Sequence, residues 1–151
     1  MLLFVGSSIA HNAERDWTVV NSYPVPEGAS GLAYDGEYIY FGIYGVDGDH
    51  IYQFDLQNGN YELFFDSSVL EDAFGLTYDG QYLWSIKQIG FSEPAVAIQL
   101  DSNGNQIGAI ILPDHYMSGI AFDDNNFWVA TYYPDPGTIY KINNLKHTAH
   151  L

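Results

Sequence analysis

The stretch GLAYDGEYIY, Gly31 to Tyr40, reads as one β-hairpin, and the chain writes it three times. It returns as GLTYDGQYLW, Gly75 to Trp84, and as GIAFDDNNFW, Gly119 to Trp128. The leading glycines lie 44 residues apart at both steps, and the three segments align column by column without a gap. Asp-Gly between β-branched and aromatic flanks is a strong hairpin signal. It predicts type I′ turns with Asp35-Gly36 and Asp79-Gly80 as central residues, φ positive at both, and Asp123-Asp124-Asn125 as a third version.

A second pair of strand-like runs follows each hairpin. In the first unit these are HIYQFDL (His50 to Leu56) and YELFF (Tyr61 to Phe65), joined by Gln57-Asn58-Gly59-Asn60. In the second they are AVAIQLD (Ala95 to Asp101) and QIGAIIL (Gln106 to Leu112), joined by Ser102-Asn103-Gly104-Asn105. Four short antiparallel strands in about 44 residues, without helical periodicity, have the size and content of a propeller blade. The predicted fold is therefore all-β, a β-propeller with three four-stranded blades.

Counting strands exposes a gap. The third unit ends at TIYKINN, Thr138 to Asn144, with three strands, while DWTVVNSYPVP, Asp16 to Pro26, stands alone ahead of the first repeat. The division that follows is an N-terminal arm or strand over 1–15, a half-propeller over 16–145 and a tail over 146–151. Within the half-propeller, 16–26 is the strand that completes the last blade, and 31–65, 75–112 and 119–144 are the repeats. Three blades cannot close a ring, since propellers use four to eight or so. An open arc leaves two apolar sheet faces in water, which is an aggregation hazard. Two chains about a two-fold axis give six blades, and C2 dimers are the commonest oligomers. The rival expectation is that the chain is half of a longer polypeptide.

Composition narrows the partners. Nineteen Asp and Glu against four Lys and Arg give a net charge of −15. Phosphate backbones and anionic lipid surfaces repel such a chain, so nucleic acid and membrane are poor partners; cations, small molecules, neutral sugars or a basic protein stay open. No apolar run approaches the ~18 residues of a spanning helix. Met1 to Ala10 is apolar but has no basic residue ahead of it, which favours a strand or arm over the remnant of a signal. There are no cysteines, so disulfides and thiolate metal sites are excluded and the compartment is undecided: a soluble chain, secreted or periplasmic locations included.

Several columns carry candidate chemistry. Tyr40, Trp84 and Trp128 share one, Ile39, Leu83 and Phe127 the next, and Tyr34, Tyr78 and Phe122 a third. They are expected as aromatics and aliphatics wedged between sheets, with sugar stacking the minority reading. Asp35, Asp79 and Asp123 invite a metal or acid–base role, but at hairpin turns Asp bonds its own backbone. Asp101 to Asn105 spaces oxygens as calcium loops do, yet lacks their later glutamate, and a hairpin turn is the favoured reading.

A functional mouth is expected where the loops entering and leaving each inner hairpin gather. Four residues before each repeat glycine stand Glu27, Glu71 and His115, the candidate metal ligands, with Asp72 and Asp114 beside them. The other loops add Asp47, Asp49, His50, Glu93 and Asp135. Such a ring could hold Ca²⁺ or Mg²⁺ through hard oxygens, or pair a carboxylate with an imidazole for proton transfer. Lys87, whose column neighbours are Ile43 and Thr131, could line a channel and neutralise carboxylates.

The repeats from about Trp17 to Asn144 resemble those of six-bladed propellers of the gluconolactonase-like and NHL-like group. Locally, Ala29 to Gly59 is similar to the first blade of plant-type glutamine cyclotransferases. That resemblance implies a catalytic glutamate just before a Gly-Leu pair in a following blade; here Phe74 occupies that place, before Gly75-Leu76. The favoured functional reading is a non-enzymatic binding or scaffold half-propeller that homodimerises and presents an acidic loop face. The alternatives are a metal-assisted hydrolase or lyase at the channel mouth, and a lectin-like carbohydrate-binding module.

Overall fold

The structure, a computed structural model, describes residues 18–45, 50–66, 73–90, 92–134 and 136–143. Eleven strands are found there: β1 (Ala29–Tyr34), β2 (Tyr38–Ile43), β3 (His50–Asp55), β4 (Tyr61–Asp66), β5 (Ala73–Tyr78), β6 (Leu83–Lys87), β7 (Val96–Leu100), β8 (Gln106–Ile111), β9 (Met117–Phe122), β10 (Asn126–Thr131) and β11 (Ile139–Asn143). They form three antiparallel sheets in simple chain order: β1-β2-β3-β4, β5-β6-β7-β8, and a third with only β9-β10-β11. Among the described residues no helix is long and apolar enough to cross a membrane.

The first strands of the three sheets lie side by side, β1 against β5 and β5 against β9. The repeat glycines permit that approach. A methyl group at Gly31 would come within 2.8 Å of the Phe74 carbonyl oxygen, and one at Gly75 within 2.5 Å of the Ser118 carbonyl oxygen. Neither distance is tolerable, so only glycine lets the next backbone in. At Gly119 the same methyl would meet nothing nearer than the Ala130 methyl at 3.6 Å, within its own sheet.

Apolar residues on both faces of each sheet follow from this stacking. One core, with Ala33, Tyr40, Ile51, Leu76, Leu83, Ile98 and Leu100, fills the space between the first and second sheets. Another, with Trp84, Ile86, Ala97, Met117, Phe127 and Val129, fills the space between the second and third. The expected burial holds for Tyr40 and Trp84, but Trp128 is exposed, because its side of the third sheet has no neighbouring sheet. Tyr34 is exposed at the opposite end for the same reason, whereas Tyr78 is only partly so.

Each inner hairpin is tied by one carboxylate. Asp35 Oδ1 accepts the backbone N–H groups of Glu37 and Tyr38 at 2.8 and 2.7 Å, while its Oδ2 accepts the Tyr40 hydroxyl at 2.9 Å. Asp79 repeats the pattern with Gln81, Tyr82 and the Trp84 indole N–H at 2.7 Å. Asp123 repeats it with Asn125, Asn126 and the Trp128 indole N–H at 2.7 Å. The turn geometry differs from the expected type I′. The paired residues are Asp35 and Tyr38, and φ is positive at the first central residue alone: Gly36 (107°), Gly80 (93°) and Asp124 (71°). That is the φ pattern of a type II′ turn. The physical reason is that the aspartate side chain replaces its own carbonyl as acceptor, so Asp35, Asp79 and Asp123 become the residue before the turn.

The second hairpins close likewise. Asp55 accepts from Gln57 and Asn58. Asp101 Oδ1 accepts the backbone N–H groups of Asn103 and Asn105, both at 2.8 Å. The candidate calcium loop thus spends its carboxylate inside a hairpin turn.

Residues 18–26, the described part of the predicted 16–26 strand, form no strand within the single chain. The ring of Tyr23 packs edge-on against Phe54 at 4.8 Å, beside the first sheet. The predicted arm 1–15 and tail 146–151 lie outside the described residues.

Two outcomes follow. The carboxyl of Asp123 is drawn down from 3.8 to about 2, first by the Trp128 indole and then, against some desolvation, by the turn amides. Asp35 is also lowered: burial opposes, but donation by Tyr38, Glu37 and Tyr40 outweighs it. A carboxyl whose folded pKa is depressed contributes stability that is complete above its unfolded value and is lost as pH falls through the folded one. The urea midpoint is therefore expected to drop between about pH 4 and pH 2, and Asp123→Asn to make that drop shallower. Separately, Ser85 is fully buried in β6 with a hydroxyl that has no hydrogen-bond partner. Ser85→Ala is expected to raise stability by about 1 kcal/mol in urea titrations, since it removes an unpaired buried polar group.

Candidate functional site

The loops that enter β1, β5 and β9 meet the loops that leave β2, β6 and β10 at one end of the sheets. Backbone bonds fasten them: Tyr44 N–H to the Gly28 carbonyl at 2.9 Å, Ala95 N–H to Asp114 at 2.9 Å, and Tyr132 N–H to Tyr116 at 3.0 Å. The Gln88 side-chain amide also donates to the Met117 carbonyl. This end is the mouth that the sequence anticipates.

Asp114, His115 and Tyr140 are engaged with one another there. Asp114 Oδ1 lies 3.0 Å from His115 Nδ1 and accepts the His115 backbone N–H at 2.8 Å. The other oxygen, Oδ2, accepts the Tyr140 hydroxyl at 3.3 Å. His50 opens β3 opposite Asp66, its Nδ1 3.6 Å from the carboxylate and without a hydrogen-bond partner. Glu27 sits exposed in the turn before β1, and Glu93 is exposed as well. Lys87 ends β6, half-buried, between Ala73 and Val96 of the flanking strands. Glu71, Asp72, Asp47, Asp49 and Asp135 lie outside the described residues. Among the described residues no three of His, Asp and Glu are gathered as a metal site, so Glu27 and His115 stand without a third ligand there.

Sequence reasoning missed a run of aromatic rings across this end. Tyr44 meets Phe74 at 4.8 Å, Phe74 stacks on Tyr132 at 5.9 Å, and Tyr132 meets Tyr116 at 5.7 Å. Tyr116 also touches Tyr133 at 5.1 Å and His115 at 4.7 Å. Tyr44, Tyr132 and Tyr133 are each about half exposed. One signal was present in the repeat: Tyr44, Gln88 and Tyr132 form a column immediately after the second strand of each hairpin. Phe74, which stands where the cyclotransferase resemblance asks for a glutamate, is a member of this run and supplies no carboxylate.

No protein-family model and no curated protein matches the sequence. Solved structures do. Regucalcin of Agrobacterium tumefaciens, a calcium-binding protein, superposes with a TM-score of 0.55 at 21% identity, covering 71% of this chain and 40% of that one. A chain of a nidogen/laminin complex gives 0.61 at 16%, covering 76% and 44%. The glutaminyl cyclase of Myxococcus xanthus gives 0.59 at 16%, covering 76% and 47%. This chain thus spans less than half the length of each. At such identities the likeness is one of fold, and the three sheets are blades of a β-propeller.

Proposed function

We propose that the chain is half of a six-bladed ring, closed by a second copy, and that its acidic mouth serves binding rather than catalysis. One observation carries the reading: the two end faces are the separated halves of a junction the chain already makes internally. Between the first and second blades Leu76 is 4% exposed, and its counterpart Leu32, on the free face of the first blade, is 69% exposed. Between the second and third blades Trp84 is 6% exposed, whereas Trp128 on the free face of the third is 37% exposed. Gly75 admits a neighbouring strand, whereas a methyl at Gly119 would meet only the Ala130 methyl of its own sheet. A third blade placed against the first blade of another copy would restore each of these contacts, and two such junctions close a two-fold ring.

The strand count supports the same arrangement. Beside β11 runs a groove of about 430 Å³ lined by Ile111, Pro113, Tyr140, Lys141, Ile142 and Asn143. The segment 18–26 carries the exposed Val19 and Val20 and makes no backbone ladder. It enters β1, so it belongs to the blade preceding the first, which in the ring is the last blade of the other copy. Gly108, which pairs with Gln99, precedes Gly119 by the same interval as Val20 precedes Gly31; Lys141 holds the column of Gln99. Val20 is therefore expected opposite Lys141 of the second copy. The engagement of Asp114 with His115 and Tyr140 favours recognition over proton transfer at that pair.

Light scattering on the eluting protein is expected to give twice the 16.9 kDa chain mass. Gly119→Val is expected to give the single-chain mass with an unchanged circular dichroism spectrum, because the added side chain has room within the chain and none in the junction. A wild-type protein of 16.9 kDa would end the proposal. In this cysteine-free chain, Val20→Cys with Lys141→Cys is expected to yield a covalent dimer under oxidation; a bond formed within one chain would contradict the strand exchange.

A further inference from the structure

At the end of the sheets away from the mouth, a cleft of about 330 Å³ lies between the first and second blades. Tyr38, Gln53, Glu62 and Phe64 of the first blade line it, together with Ser102 and Asn103 of the second. Hydrogen bonds fix both walls. Asp35 Oδ2 accepts the Tyr40 hydroxyl, whose oxygen accepts the Gln53 side-chain amide at 3.1 Å. Across the cleft the Asp101 carboxylate holds the backbone of the turn between β7 and β8. Gly104 lets that turn come close. A methyl there would lie 2.7 Å from the Phe65 ring and 2.9 Å from the Phe64 carbonyl oxygen.

The second blade fills the corresponding space. There Gln99 stands opposite Trp84 and Gly108, as Gln53 stands opposite Tyr40 and Glu62. The Gln99 amide oxygen is 2.6 Å from where a side chain on Gly108 would begin, so glutamine itself occupies the place. Gln53 is turned instead to the Tyr40 hydroxyl. The Trp84 indole offers Gln99 no such acceptor, and its N–H is given to Asp79. Tyr40 and Glu62 thus leave open in the first blade what Gln99 closes in the second. Packing does not require either, since the second blade stacks without them.

Which polar atoms remain open decides the class of ligand. The charge of Glu37, with Asp55 and Asp35 behind it, pushes the Tyr38 hydroxyl above its ordinary pKa. The potential is therefore negative, and anions are repelled. Among the described residues no three of His, Asp and Glu are gathered for a metal. An ammonium or guanidinium finds little more. Asp35 and Asp55 spend their oxygens on turn groups and Tyr40, which leaves Glu62, and one exposed ion pair contributes little. Glu62 and the Gln53 amide oxygen are acceptors, whereas the Asn103 amide and the Ser102 hydroxyl can donate. A ligand that uses both kinds carries hydroxyls, which donate and accept. Tyr38 and Phe64 add apolar surface for its C–H groups.

We propose that this cleft binds a neutral saccharide, with Glu62 and Gln53 accepting from its hydroxyls and Asn103 and Ser102 donating to them. The site is separate from the mouth and goes beyond the binding role proposed there. Every residue belongs to one chain, so ring closure is not required. A free sugar and a glycan carried by a protein share the chemistry.

The test is an amide NMR titration of the isotope-labelled full chain with methyl glycosides of glucose, galactose, mannose and N-acetylglucosamine. Glucuronate and arginine methyl ester serve as the anionic and cationic comparisons. Shifts of the Gln53 and Asn103 side-chain amides with at least one neutral glycoside, saturating at tens of millimolar or below, are the expected result. Glucuronate is expected to bind more weakly. Glu62→Ala and Asn103→Ala, both surface changes, are each expected to weaken the glycoside roughly tenfold at unchanged melting temperature. Gly119→Val is expected to bind as the wild type does. Competition by a glycoprotein that carries the same sugar then tells which source is preferred. No shift of those amides with any of the glycosides, or binding unchanged in both alanine variants, overturns the proposal. Uptake of arginine methyl ester in place of the glycosides also overturns it, by making the cleft a cation site.

Discussion

A four-stranded sheet with apolar residues on both faces has no stable life in water by itself; each face must lie against another sheet. That requirement organises the whole molecule. The second blade meets it on both sides, through the Leu76, Leu83 and Ile98 core toward the first blade and the Trp84, Ile86 and Ala97 core toward the third. The first blade covers one of its faces with the second, and Tyr23 lies over Phe54 on the other. The third leaves Trp128 and Ile139 in solvent. The middle blade is therefore covered on both faces and the outer blades on one each, and under the proposed closure the outer faces would repeat the junctions formed inside the chain.

The aspartate of each inner hairpin links this packing to the local chain. One carboxylate oxygen closes the turn and the other fixes the polar atom of the aromatic wedge five residues on, so backbone and wedge are placed by a single group. At Trp84 the wedge is packed; at Trp128 the same bond to Asp123 holds the ring in place while exposed, with the Lys141 ammonium 5.0 Å from its centre. A face whose principal side chain is already ordered loses less conformational entropy when it associates.

Much of this was legible from residues alone. The spacing of Gly31, Gly75 and Gly119 fixed the blade, since close backbone approach demands glycine and sequence periodicity records it. The hairpin aspartates were readable as turn residues because side-chain to backbone bonding is local. Their second role was not, since it depends on which way Tyr40, Trp84 and Trp128 lean. The turn type was misjudged for a related reason: dipeptide statistics describe turns closed by backbone carbonyls, and here a carboxylate takes over. The mouth was the least legible. Glu27 and His115 share a column, yet a column alone sets no distance between its members. Tyr116 and Tyr133 meet only through the fold of two separate loops, which no periodicity records.

Asp35, Asp79, Asp101 and Asp123 tie turns, and Asp114 positions a loop, while the aromatic rings form the exposed surface at the mouth. All of it presumes an arc that finds its other half. Small-angle X-ray scattering of the wild-type protein at micromolar concentration tests that most directly. Ring closure by two copies predicts a radius of gyration of about 19 Å and a central low-density channel. A compact particle of about 15 Å, the size of one folded chain, would contradict it.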